Sequence, residues 1–184
     1  MRGGTGRLIV VTGGPGSGKS TLLAALAEAG VATVPEVGRR IIREQTVIQG
    51  RALPSVDPAL FAETMLSWEM RAYHDARDRE GPVVFDRGVP DVMGYLRLSG
   101  LPVPPHVMRA AALCRYNREV FIAPHWPDIY TGDRERRQSE DEALRTYESM
   151  VATYRDCGYA LVELPLAPVG ERVRFVLERL GLSR

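Results

Sequence analysis

Short apolar runs alternate with longer stretches of helical periodicity along this chain. Five runs stand out: RLIVVT (7–12), VATVP (31–35), PVVFD (82–86), EVFIA (119–123) and ALVELP (160–165). They are apolar at nearly every position, not at every second one, which is the pattern of strands covered by helices on both faces. The expectation is an α/β fold: a three-layer α/β/α sandwich around a mostly parallel five-stranded sheet.

The intervening segments carry helix punctuation. A first helix is expected to open at Gly18 and stop at Gly30. A longer one begins with Asp57 as N-cap and Pro58 at the first helical position, and runs to about Glu80 before Gly81. Its Phe61, Met65, Trp68 and Ala72 share a face, read as core or pocket wall in preference to a cofactor box. Further on, Ser139 and Glu142 have the spacing of a capping box. Ala143, Tyr147, Met150 and Tyr154 then line one face up to Cys157-Gly158. No repeat or low-complexity linker divides the chain, so a single domain over 7–184 is expected after a flexible Gly-rich leader, 1–6.

Composition narrows the classes. At 184 residues the chain is long enough for one substantial core. With 45% hydrophobic and 26% charged residues and a formal net charge of +1, it is of ordinary globular type and has no charge excess that would attract nucleic acid. Its two cysteines, Cys114 and Cys157, lack a CxxC spacing and are read as reduced packing residues. The apolar LIVV run is too short for a signal-peptide core or a membrane span. A cytoplasmic protein, monomer or homodimer, is expected.

The chemistry begins at GGPGSGKST, residues 13–21. Of 24 Lys plus Arg, the only lysine is Lys19. Gly13, four residues, then Gly18-Lys19-Ser20 fit G-x-x-x-x-G-K-[ST] after a predicted strand and before a predicted helix, the context a phosphate-binding P-loop requires. Gly13, Gly14, Pro15, Gly16, Ser17, Gly18, Lys19, Ser20 and Thr21 would cradle the phosphates, with Ser20 on Mg²⁺. A compact ammonium sits inside such a loop where a rigid, forked guanidinium does not, which accounts for the one lysine an arginine-rich chain kept. ATP with Mg²⁺ is the expected cofactor. Adenine is favoured because the guanine motif N-K-x-D is missing: the single Asn, Asn117, precedes Arg118.

Strand ends then supply acids. PVVFD ends in Asp86 followed by Arg87, without the Asp-Glu pair of a motor ATPase. In an open parallel sheet this end lies in the ligand crevice, so Asp86 is placed either as general base toward an acceptor hydroxyl or as a magnesium-associated carboxylate, and Arg87 as a cation on the moving phosphoryl group or as partner of a structural carboxylate. PEVGRR puts Glu36 at a second strand end, to bind a substrate hydroxyl or to stabilise the next helix start. Arg39 and Arg40 would meet an acidic substrate or be solvated. TGDRERRQSED (131–141) brings Arg134, Arg136 and Arg137 together between the last two strands, as an arginine-bearing lid over about 131–142 or as an exposed charged turn. His74, His106 and His125 have no metal-like spacing.

With GGPGSGKST, PEVGRRII, FDRGVPD and DRERRQ in order, the chain resembles the small P-loop "AAA domain" family that is similar to nicotinamide-riboside kinase (NadR-like), from about Arg7 to Gly181. It is also similar to nucleoside and thymidylate kinases. The resemblance implies a five-stranded sheet, ATP and magnesium, and an Arg-bearing lid. It also implies that Asp91 helps shape an acceptor pocket, unless it caps the next helix. The expected function is phosphoryl transfer from ATP to a hydroxyl of a nucleoside-like or other small metabolite. Lys19, Asp86, Arg87, Arg134 and Arg137 would be catalytic, Glu36, Arg40 and Asp91 would face the substrate, and Ser20 and Asp86 would serve the metal. The competing classes are a nucleotide-gated binding protein and a simple ATPase.

Overall fold

The structure, a computed structural model, describes residues 5–126 and 140–182. After a short 3-10 turn, Thr5–Arg7, the order is β1 (Leu8–Gly13), α1 (Lys19–Glu28), β2 (Ala32–Val34), α2 (Val37–Val47), α3 (Pro58–Arg77), β3 (Val83–Asp86), α4 (Val89–Leu98), α5 (Pro105–Leu113), β4 (Glu119–Ala123), α6 (Glu140–Asp156), β5 (Ala160–Glu163) and α7 (Val169–Arg179). All five expected strands form, one or two residues shorter at some ends, with β1 running one residue further at its C-terminal end. The sheet order is β2-β3-β1-β4-β5 and every pairing is parallel.

Two-sided burial explains the sequence pattern. In β1, Leu8 and Val10 face one core while Ile9 and Val11 face the other, and all four are essentially inaccessible. The first core is closed by α3, α4, α5 and α6; the second, by α1 and α7 around Leu22, Leu26, Phe121, Leu164 and Val176. A third, smaller cluster of Val37, Ile41 and Phe61 joins α2 to α3 beside the sheet edge. Asn117 Nδ2 donates to the Gly6 carbonyl at 2.5 Å, which ties the end of the expected leader to the body.

Two helices depart from the sequence reading in instructive ways. Asp57 caps α3 as expected, its Oδ1 accepting from Leu60 N–H at 3.0 Å. The buried face of α3, however, is Phe61, Ala62, Leu66, Glu69, Tyr73 and Ala76, while Met65, Trp68 and Ala72 are only half-buried. The stripe is rotated by about one position because the helix packs against both α2 and α4 and not against the sheet alone. In α6, Ala143, Met150 and Tyr154 are buried as expected, with Thr146 and Thr153 beside them. The cap expected at Ser139, the lid arginines Arg134, Arg136 and Arg137, and most of the 131–142 segment lie outside the described residues. Both cysteines are free, Cys114 buried and Cys157 half-buried. Among the described residues no helix is long and apolar enough to cross a membrane.

The Asp57 cap supports the longest helix, which carries one wall of the cavity described below. Asp57→Ala is expected to cost about 1 kcal/mol, the usual value of an N-cap, lowering Tm by about 2–4 °C for a domain of this size. Thermal unfolding followed by circular dichroism checks it.

Candidate functional site

The loop after β1 folds as its glycines permit. Gly13 has φ 132°, and a Cβ there would lie 2.5 Å from the Ala123 carbonyl oxygen of β4. Gly18 takes φ 76° at the N-cap of α1, a left-handed conformation that glycine enters without cost. The resulting cradle ends in a helix N-terminus, whose free N–H groups and dipole favour phosphate.

Lys19 is folded into this cradle. Its Nζ donates to the Gly14 carbonyl at 2.5 Å and to Ser17 Oγ at 3.2 Å, and it is 5% exposed. Ser17 Oγ donates in turn to the Gly14 carbonyl at 2.8 Å. Burial pulls the ammonium pKa down to about 8, with Arg87 adding repulsion and Asp86, Glu36 and Asp91 opposing it. From behind, Arg172 on α7 braces the loop: its Nη1 donates to the Ser17 carbonyl at 2.9 Å, and its guanidinium lies 6.0 Å from the Trp126 ring centre.

Beside the loop stands the end of β3. Asp86 is 4% exposed, and one carboxylate oxygen, Oδ2, accepts from Ser20 Oγ at 3.4 Å. The other, Oδ1, is buried without a partner. Burial raises the Asp86 pKa while Lys19 holds it down. A hydroxyl and a carboxylate side by side, one oxygen unspent, form an all-oxygen donor set suited to a hard cation such as Mg²⁺ and its waters. These residues fit that ion. No cluster of three or more His, Cys, Asp or Glu side chains forms a metal site among the described residues.

Arg87 turns the chain out of the strand with φ 76°, an uncommon and strained conformation for a residue with a side chain. Its guanidinium is buried between two carboxylates: Nε lies 3.3 Å from Glu36 Oε1, and Nη1 donates to Asp91 Oδ1 at 3.0 Å. Burial pulls its pKa down, but Glu36, Asp91 and Asp86 outweigh that and push it upward, so it is always charged. Glu36 is held a second time by Arg39 Nε at 3.2 Å. It occupies the N-cap position of α2 but makes no side-chain cap bond.

Asp91 has four donors. Oδ1 accepts from Thr12 Oγ1 at 2.6 Å as well as from Arg87, and Oδ2 accepts from Gly88 N–H at 2.9 Å and Tyr154 OH at 2.6 Å. Four bonds fill the lone-pair capacity of a carboxylate, so Asp91 joins β1, α4 and α6 and has no bond left for a substrate. It lines the cavity without being free to grip its contents. The bond from Gly88 N–H also makes it a cap of α4, at the third helical position.

The cavity measures about 540 Å³ and opens between α2, α3, α4 and α6, within the size range of small-molecule sites. Glu36, Arg87 and Asp91 form its inner wall, Ile42, Phe61, Met65, Val92, Tyr95 and Met150 its apolar walls, and Leu53-Pro54-Ser55 part of its rim. Asp86 is not part of the lining. Nor is Arg40, which is largely exposed, pairs with Glu44 at 2.9 Å and lies 4.9 Å over Trp68.

Three residues of this region escaped the sequence reading. Glu69 is one carboxylate inside the apolar stripe of α3, Tyr154 was read as core only, and Arg172 is one cation among the apolar positions of α7. Such lone polar residues at core positions were the available signal.

Comparison with known proteins bears on the fold. A family model described as "AAA domain" matches residues 8–172. No curated protein matches the chain. Among solved structures, it is similar to a NadR protein in complex with NR, with TM-score 0.76 and 19% identity over 99% of this chain and 54% of that one. The chain therefore spans about half the length of that protein. A deoxyadenosine kinase from M. mycoides (TM-score 0.66, 13% identity, 95% and 98% coverage) and a thymidylate kinase from Ehrlichia chaffeensis (0.64, 14%, 94% and 98%) share the fold over nearly their whole lengths.

The buried ammonium yields a prediction that separates stability from function. A lysine whose folded pKa lies below its unfolded value destabilises the fold wherever it is charged, here below about pH 8. The drop from 10.5 to about 8 corresponds to about 3 kcal/mol. Lys19→Met is expected to raise the Tm of the nucleotide-free protein at pH 7 and to abolish the further rise that Mg-ATP gives. Differential scanning fluorimetry with and without nucleotide measures both.

Proposed function

The chain belongs to the AAA-domain family of P-loop proteins, and on that premise we propose that it is a kinase moving the γ-phosphoryl group of Mg-ATP to a hydroxyl of a small, nucleoside-sized acceptor. One observation carries the reading: the Glu36–Arg87 pair lines the cavity, and Arg87 follows directly on Asp86, which faces Ser20 of the phosphate loop. Hydrolysis of the nucleotide by water needs no second chamber of this size. The fold shared with nucleoside and nucleotide kinases supports the same class.

The roles follow from position. The loop N–H groups and Lys19 hold the β- and γ-phosphates, at which point Lys19 exchanges its Gly14 carbonyl for phosphate oxygens. Ser20 and Asp86 hold Mg²⁺, which when bound neutralises charge on the β- and γ-oxygens. Glu36, on the cavity wall, accepts the hydroxyl proton as the acceptor oxygen bonds to the γ-phosphorus and the bond to the β-bridging oxygen breaks, releasing ADP. This assignment moves the base role expected of Asp86 to Glu36, because Glu36 lines the cavity and Asp86 does not. Arg87 holds Glu36 in place and adds positive charge.

A second reading has one observation in its favour. A Cβ at Gly14 would lie 2.5 Å from the Ala143 carbonyl oxygen of α6. The loop therefore packs directly on α6, and a nucleotide-gated binding protein would need such a contact to pass on the state of the loop.

The test is ADP release from Mg-ATP with and without a pool of nucleosides and other small hydroxyl compounds. Acceptor-dependent release is expected. Glu36→Gln should lower kcat about 100-fold, within the range for loss of a proton acceptor, at unchanged ATP affinity. Asp86→Asn should move the Mg²⁺ dependence to higher concentration. Nucleotide binding without any acceptor-stimulated release would favour the gated binding protein. Release indifferent to acceptors would mean an ATPase.

A further inference from the structure

The cavity holds one group that the proposed reaction leaves without a task. Glu69 on α3 is 3% exposed and lines the cavity together with Phe61, Met65 and Tyr95. No hydrogen bond or ion pair engages its carboxyl among the described residues. The charged groups that face it are Asp91 from α4, Arg87 and Asp86 from the end of β3, and Glu36 from the start of α2, with the Tyr116 hydroxyl nearby. Burial pushes its pKa well up; Asp91, Glu36 and Asp86 push the same way, and only Arg87 opposes them. In the empty cavity Glu69 is therefore held toward its neutral, protonated form.

A buried carboxyl with no partner is costly, and native structures rarely keep one without use. Here the flanking walls are apolar, so the missing partner has to come with the ligand. The cavity as a whole also has a sign. Among its described lining residues, Glu36, Glu69, Asp91 and Glu142 stand against the single guanidinium of Arg87.

We infer that Glu69 reads the buried end of the acceptor, and that this end carries a hydrogen-bond donor, an amide or amine on a flat ring, with neutral or positive charge. The inference rests on the kinase reading in taking this cavity as the acceptor site. A protonated carboxyl offers one donor and one acceptor, which pairs with a carboxamide or an amino-heterocycle edge. A cationic ring is met instead by the ionised form, and the proton goes to solvent. A carboxylate or phosphate on the same end finds no spare cation there, since the Arg87 guanidinium is already paired with Glu36 and Asp91, and is refused. The aromatic edges of Phe61 and Tyr95, with ring centres 5.3 Å apart, suit a flat ring.

Two matched pairs of probes test this by calorimetry in the presence of Mg²⁺ and the ATP analogue AMP-PNP: nicotinamide riboside against nicotinic acid riboside, and adenosine against purine riboside. Within each pair only the donor at the ring edge changes, and in the first the charge changes with it. The wild type is expected to bind the donor-bearing member at least ~10-fold more tightly in one pair or both. Glu69→Met should bring that ratio within ~3-fold, and Glu69→Gln should admit nicotinic acid riboside. An independent readout is stability against pH. With the folded pKa above the unfolded one, the stability that Glu69 contributes is present at low pH and lost as pH rises through the folded value. Glu69→Gln, which has no proton to lose, should therefore melt above the wild type at pH 8.5. An unchanged ratio in a Glu69→Met protein that still binds AMP-PNP, or a preference for the members lacking the donor, overturns the inference. So does failure of all four probes to bind a wild type that holds AMP-PNP. Failure of the wild type to bind Mg-AMP-PNP overturns instead the kinase reading beneath it.

Discussion

A guanidinium buried between two carboxylates sets the geometry of this protein's working end. Arg87 reaches Glu36 at the start of α2 and Asp91 in the first turn of α4, and Asp91 extends the network to Thr12 in β1 and Tyr154 in α6. Two strand ends and three helices are thus tied into one network around this charged group. Removing either partner of such a buried pair leaves an uncompensated charge, the costly case for buried ions. The left-handed backbone at Arg87 is held by the same contacts: its N–H still donates to the Val11 carbonyl at 3.0 Å while its side chain turns into the cavity wall.

Charges taken from water recur around this point, and each costs stability that a purely structural design avoids. Lys19 and Asp86 are both nearly inaccessible, one with its pKa pulled down by burial and the other with its pKa pushed up. Asp86 keeps an unpartnered oxygen, and Glu69 keeps a carboxyl group that is only 3% exposed. Strained and desolvated groups gathered at the carboxyl-terminal ends of β1 and β3 mark the place where ligands complete the electrostatics. The rest of the molecule, two apolar cores on either face of a parallel sheet, holds those strand ends in register.

Much of this was legible in the sequence where the signal was local. The five strands announced themselves as continuous apolar runs, Asp57-Pro58 marked a helix start, and the phosphate loop was recognisable from glycine spacing and from the only lysine in the chain. What depended on convergence was not legible. Asp91 looked like a pocket residue or a helix cap, and nothing local revealed that Thr12 and Tyr154, far away along the chain, consume its lone pairs. Asp86 and Glu36 both sit near strand ends, yet only the packing of α2, α3, α4 and α6 decides which one faces the cavity. Glu69 was hidden because the buried stripe of α3 is set by two neighbouring helices, which turn it one position from the stripe that hydrophobicity suggests. Arg40 carried no local sign that Glu44 and Trp68 would keep it on the outer surface.

The central claim is that the chamber beside the phosphate loop delivers a hydroxyl to the γ-phosphate. The most direct measurement follows the label from [γ-³²P]ATP after incubation of the protein with Mg²⁺ and a protein-free extract of small metabolites, separated by anion-exchange chromatography. The account predicts label in a new organic phosphomonoester, formed by the wild type and not by Lys19→Met. Label that appears only as inorganic phosphate, or that stays in ATP, would contradict it.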